Sequence, residues 1–109
     1  MFTFLKSLFS KNYDDLRGEA FKRQFSSTSG AVLLDVRTPS EFASGKIRGA
    51  LNVDVMSATF GTRIAALDKH KTYFVYCRSG SRSAQACKYM AAQGYKVYNL
   101  AGGMSAWPK

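Results

Sequence analysis

The chain has 109 residues, enough for one hydrophobic core and too few for two. Its 46% apolar and 21% charged composition excludes a disordered tail and makes a globular domain the expectation. Sixteen Lys and Arg against seven Asp and Glu leave a formal charge of +9, which points to anionic partners.

The basic residues are scattered, and the aromatic run at 73–76 lacks the basic, glycine-bearing pattern of an RNA-binding sheet. Small anions therefore fit the field better than nucleic acid. At the amino end, "MFTFLKSLF" is interrupted by Lys6, carries no basic n-region or cleavage site, and is too short to span a bilayer. No transmembrane segment is expected. Phe2, Leu5, Leu8 and Phe9 share one helical face, so residues 1–11 are read as a short amphipathic segment docked on the domain. A membrane-surface or partner contact is the alternative. Residues 12–109 form the single domain.

"NYDDLRGEAFKRQF" predicts a helix with Asn12 as N-cap, Asp14 and Asp15 favourable to the dipole, and Tyr13, Leu16, Ala20 and Phe21 on one face. After the polar "SSTSG", the run "AVLLDV" predicts a strand covered on both faces. Thr38, Pro39 and Glu41 in "TPSEF" make a capping box at the start of a short helix. "GALNV" predicts a brief buried strand, and "SATFGTRIAAL" a helix capped by Ser57 with Ile64 and Leu67 inward. "TYFVY" is a strong strand. "SAQACKYMAAQG" predicts a helix stopped by Gly94, "KVYNL" a last strand, and "GGMSAW" a final short helix. Strands and helices alternating at this pace imply an α/β fold, a small parallel sheet with helices on both faces.

Between "TYFVY" and its helix lies "CRSGSRS". Ligands bind beyond the carboxyl ends of strands in open parallel sheets, and a helix N-terminus there offers unpaired amides and partial positive charge. Ser79, Gly80 and Ser81 are small enough for the backbone to curl and aim its N–H groups inward as an anion nest. Cys77 heads that loop, and Arg78 and Arg82 add charge, with Arg82 either in the cradle, turned outward or pinning the loop. A free thiol titrates near about 8.5, and such surroundings bring it to roughly 3.5–7.5. The loop thus favours a thiolate, or an anionic persulfide, without a histidine base.

Four stretches, "LLDVRTPSEF", "GKIRGALNV", "YCRSGSRS" and "LAGGMSAW", resemble the single-domain rhodaneses, a family of sulfurtransferases, over nearly the whole chain after residue 12. The resemblance implies a rhodanese-like fold in which Cys77 takes a sulfane sulfur from thiosulfate or another small anionic donor and passes it to cyanide, a thiol or a protein acceptor. It also implies Cys77 as nucleophile and persulfide carrier, Arg78, Ser79, Gly80, Ser81 and Arg82 as the cradle, and Ser83 at the helix start. Asp35 and Arg37 would then pin loops around the sheet. The covalent persulfide replaces any cofactor, and no metal is implied. Lys46 stands where the family usually has a histidine, at a position that looks structural.

Phosphatases and arsenate reductases sharing the fold place five residues between cysteine and arginine, whereas four lie between Cys77 and Arg82. Treated as a ring, the shorter loop shrinks in radius from roughly 3.8 to about 3.2 Å, which suits one sulfur atom rather than a tetrahedral oxyanion. No acidic residue in or shortly after the loop supplies a general acid. The contrasting functional class is a non-catalytic binding or redox-sensing module.

Cys87 falls on a helical face with Ala84, Met90 and Ala91 and is assigned to the core. His70 belongs to a charged turn, and Trp107 is a packing anchor with pocket lining as the alternative. Two cysteines are too few for a disulfide scaffold and form no CxxC pair, so a reducing, cytoplasmic setting is expected. The domain is expected as a monomer.

Overall fold

The computed structural model describes residues 11–109, and the apolar face expected of Phe2, Leu5, Leu8 and Phe9 lies outside them. The elements run β1 (Asp14–Leu16), α1 (Gly18–Ser27), β2 (Ala31–Asp35), α2 (Pro39–Ser44), β3 (Leu51–Asn52), α3 (Phe60–Ala65), β4 (Thr72–Tyr76), α4 (Ser81–Ala92) and β5 (Lys96–Leu100), closing with a 3-10 turn at Met104–Ala106. Five strands form one sheet in the order β1-β5-β4-β2-β3, and every pair is parallel.

The central strand explains the layering. All five residues of β4 are buried, and alternation sends Tyr73 and Val75 to one face, Phe74 and Tyr76 to the other. On the first face they meet Phe60 and Ile64 of α3 and Ala86, Cys87 and Met90 of α4. On the second they meet Phe21 and Phe25 of α1, Leu100 and Trp107. Phe21 sits edge-on to Phe74 at 5.5 Å and to Trp107 at 6.1 Å between ring centroids. Such pairs add about 0.5–1.5 kcal/mol each beyond area burial. Trp107 is thus the expected anchor.

Three expectations need correction. Residues 14–16 are a strand, not the first turn of a helix: Asp14, Asp15 and Leu16 lie in register with Tyr98, Asn99 and Leu100. Tyr13 and Leu16 accordingly pack on opposite faces of the sheet rather than on one helical face. Asn12 caps nothing and donates from Nδ2 to the Lys88 carbonyl at 3.4 Å, while the helix opens at Arg17, whose carbonyl accepts from the Phe21 amide at 2.7 Å. The edge of β5 offers unpaired backbone groups, and residues 14–16 cover its carboxyl-terminal half. Second, "GALNV" contributes only Leu51–Asn52, an edge strand with Leu51 exposed. Third, α3 begins after Thr59, and Ser57 accepts from the Thr59 amide through Oγ at 3.1 Å instead of capping directly.

Local signals elsewhere agree with the structure. Thr38 Oγ1 accepts from the Glu41 amide at 3.2 Å while Glu41 Oε1 accepts from the Thr38 amide at 3.2 Å, completing the capping box. His70 is an exposed turn residue, and Cys87 is fully buried.

Candidate active site

β4 delivers Cys77 to the carboxyl end of the sheet, and Arg78, Ser79 and Gly80 turn the chain into α4. Gly80 takes φ +101°, a conformation glycine adopts without steric cost, and occupies the N-cap of α4 with no side chain to offer. The acceptor that a capping Ser or Asp would supply is provided by sulfur. Cys77 Sγ accepts from the amide of Gly80 at 3.1 Å, the amide of Ser83 at 3.3 Å and Ser83 Oγ at 3.3 Å. Otherwise-orphaned N–H groups of the first turn thus converge on one atom.

Cys77 is buried, which by itself pushes a thiol up, yet the hydrogen bonds from the Ser83 hydroxyl and the Ser83, Gly80 and Ser79 amides outweigh burial and hold it below the ordinary thiol value. Burial pushes Cys87 up, reinforced by Asp15 and Cys77, and no helix terminus opposes it. The two free thiols are therefore chemically opposite. One is drawn toward the thiolate and the other is held away from it.

The remaining predicted residues divide. Ser83 is buried against the sulfur; Ser79 on the loop and Ser81 at the first position of α4 are exposed. Arg78 is exposed and makes no ion pair among the described residues. Arg82 binds Glu41 rather than the sulfur: its Nη1 and Nη2 donate to Glu41 Oε1 and Oε2 at 2.6 and 3.0 Å, a two-pronged clamp between α4 and α2. That guanidinium, with the Thr38 cap, brings the Glu41 carboxyl down to about 2. Asp35 is fully buried and binds the Arg37 side chain, Nη2 to Oδ2 at 2.7 Å, and Arg37 Nη2 also donates to the Gly45 carbonyl at 2.6 Å. Asp35 hydrogen bonding raises the Arg37 pKa further. Lys46 stacks its ammonium over the Phe42 ring at 4.5 Å.

Residues far along the chain complete the loop. The Met104 amide donates to the Cys77 carbonyl at 2.9 Å. Gly103 packs so tightly that a Cβ there would lie 2.1 Å from the Arg78 carbonyl oxygen. Asn99, on β5, reaches Gly80 from beneath, with Nδ2 3.3 Å from its carbonyl. Sequence reasoning passed over Asn99 and Gly103 because each acts across some twenty residues of chain; the paired glycines of "LAGGM" were the one available hint. Beside the loop a cleft of about 810 Å³ opens, lined by Arg37, Glu41, Arg78, Ser79, Gly102 and Met104 among others. Among the described residues there is no cluster of His, Cys, Asp or Glu able to hold a metal.

The chain is thus a small parallel α/β domain with a strand-end cysteine whose sulfur accepts from the amides that open the following helix. The family described as the rhodanese-like domain matches residues 19–109, and the chain belongs to that family. It is 37% identical over 97 residues to a sulfurtransferase of Allochromatium vinosum, covering 88% of this chain and 89% of the relative. It is 38% identical over 80 residues to the thiosulfate sulfurtransferase GlpE of Stutzerimonas stutzeri, covering 72% of each. Its backbone is similar to the crystal structure of a rhodanese-like domain protein from Staphylococcus aureus, with TM-score 0.76, 28% identity, and 88% and 92% of the two chains covered.

Proposed function

We propose that the protein is a sulfurtransferase working through a persulfide on Cys77. One observation carries this: three donors at the start of α4 converge on Cys77 Sγ. The Cys77 thiolate attacks the outer, sulfane sulfur of thiosulfate. The sulfur–sulfur bond of the donor breaks, its electron pair leaves with sulfite, and Cys77 carries the terminal sulfur as an anion. A thiolate or cyanide then attacks that outer sulfur, the new bond forms as the persulfide bond breaks, and the Cys77 thiolate returns. Charge and electrons balance at both steps, and neither needs a cofactor.

The same amides that hold the thiolate suit the terminal persulfide, which carries one negative charge about 2 Å further out. Arg78 lines the cleft unpaired among the described residues, so it is the side chain that meets an anionic donor. Arg82 keeps the loop in place through Glu41 and contributes charge at a distance. The relatives named as thiosulfate sulfurtransferases support thiosulfate as donor. The open cleft beside the loop suits a thiol or protein acceptor, and the reduced thiol the chemistry needs suits a cytoplasmic setting.

Incubation with thiosulfate should add one sulfur atom to the chain, visible by intact mass, absent in Cys77→Ala and removed by cyanide. Full thiosulfate:cyanide turnover in Cys77→Ala would overturn the assignment. A wild-type Cys77 with an ordinary thiol titration and no sulfur uptake would instead favour a binding or redox-sensing module.

A further inference from the structure

Asn99 has no place in the sulfur chemistry described so far, and its surroundings are unusual. It shares its sheet face with Val97, in the layer beneath α4 where apolar residues otherwise collect, and it is 3% exposed. Its Nδ2 donates to Asp15 Oδ1 at 2.9 Å, on the neighbouring strand directly opposite in register, and to the Gly80 carbonyl at 3.3 Å. Its Oδ1 is the one buried side-chain oxygen or nitrogen among the described residues without a partner.

The orientation of this amide is determined by its neighbours. Turning it over would aim Oδ1 at a carboxylate and a carbonyl, acceptor against acceptors. An unpaired buried acceptor lowers stability, and an apolar side chain at the same place would avoid that penalty. Stability of the core therefore does not account for asparagine here. The two bonds that Nδ2 makes do.

We propose that Asn99, anchored by the Asp15 carboxylate, is a positioning residue for the reaction at Cys77: it holds the Gly80 carbonyl so that the Gly80 amide faces the sulfur. Gly80 joins two peptide planes. On one side its amide points at Cys77 Sγ, 3.1 Å away; on the other its carbonyl points to Asn99 and to the Ala84 amide at 3.1 Å. A glycine at φ +101° has no side chain to restrict rotation of either plane, so external hydrogen bonds must do so. Asp15 holds the donor from the edge strand and is itself paired with Lys11. Other titratable groups near the pair are Tyr13 and the Cys87 thiol; those facing Cys77 include Arg82, already bound to Glu41.

The inference rests on the sulfurtransferase reading for its meaning but not for its test, because alkylation of Cys77 reports the thiolate directly. Rates of alkylation against pH should be measured for wild type, Asn99→Leu and Asp15→Leu, beside kcat and KM for thiosulfate. Loss of the Gly80 amide contact should slow alkylation at pH 7 by about three- to tenfold, the Ala84 bond retaining part of the geometry. The profile should move to higher pH, and kcat/KM should fall by a similar factor in Asn99→Leu. Asp15→Leu separates positioning from plain electrostatics. Removing a negative charge by itself would make the thiolate easier to form and speed alkylation at pH 7. Loss of the anchor should slow it.

Unchanged or faster alkylation in a folded Asn99→Leu or in Asp15→Leu overturns the proposal. Should Asn99→Leu fail to fold, Asp15→Leu, on the exposed edge strand, decides alone. Wild type that alkylates as expected but takes up no sulfur would sink the sulfurtransferase reading and leave the positioning role standing.

Discussion

Gly103→Ala is the most severe single test of how the loop is held. Gly103 sits at φ +75° and ψ −163°, a region essentially closed to other residues. Its missing Cβ would lie 2.1 Å from the Arg78 carbonyl oxygen, 2.4 Å from the Arg78 carbonyl carbon and 2.6 Å from the Ser79 nitrogen. All three are backbone atoms, so no side chain can swing aside. Backbone strain at such a position costs about 1–3 kcal/mol, and forcing atoms into a filled site about 1–3 more. The sum, about 2–6 kcal/mol, is a large share of the roughly 5–15 kcal/mol that holds a domain together. A loss of about 4 kcal/mol would lower Tm by roughly 20 °C in a domain of this size.

The chain can escape part of that cost by lifting residues 78–79 off the 102–103 turn. That movement would break the bond from the Met104 amide to the Cys77 carbonyl and carry the Gly80 amide away from the sulfur. Two measurements capture both routes: urea unfolding for stability, and the pH dependence of Cys77 alkylation for the loop. Either a stability loss above about 2 kcal/mol or a clear rise in the alkylation pKa is expected. A Gly103→Ala protein within about 0.5 kcal/mol of wild type, with its alkylation profile unmoved, would refute the reasoning.

Gly45→Ala is the natural contrast: nothing lies within 4 Å of a Cβ there and the backbone is extended, so urea unfolding should show a gain of about 0.4–1 kcal/mol, and a clear loss would contradict the local geometry. Arg82→Lys replaces the two-pronged Glu41 clamp with a point charge; the partly exposed pair should contribute about 1 kcal/mol or less to stability, while alkylation of Cys77 should change little, and a large loss of thiolate would mean that Arg82 acts on the sulfur directly. The folded Cys77 pKa lies below its unfolded value, so its contribution to stability is fully present above the unfolded pKa of about 8.5 and is lost as pH falls through the folded value. The stability of wild type minus that of Cys77→Ala, measured in reductant, should therefore rise with pH across that window; a flat or falling difference would show that the thiol is not perturbed downward. Cys87 should stay unmodified in native Cys77→Ala at neutral pH and react only on unfolding, as counted by mass after alkylation; rapid labelling of the native protein would contradict its raised pKa and its place midway along α4, away from the cleft.

The features legible in the chain are those whose causes lie within a few residues. The run "TYFVY" declares a buried strand by composition, the small residues after Cys77 declare a tight turn, and the alanine-rich stretch behind them declares a helix. Together these place a thiol at a helix N-terminus. Thr38 and Glu41 form their capping box from a spacing of three. Tertiary structure decided what depends on distant partners. Residues 14–16 have helical-looking neighbours but become a strand because β5 presents an open edge 84 residues away. Arg82 had three possible uses in the sequence, and it turns to Glu41, 41 residues back, because α2 brings that carboxylate within 2.6 Å. The contacts of Asn99 with Gly80 and of Gly103 with Arg78 arise in the same way. Local spacing encodes hydrogen bonds that close within a turn of chain. Which side chains meet across the sheet depends on strand order and register, and those follow from the packing of all the layers at once.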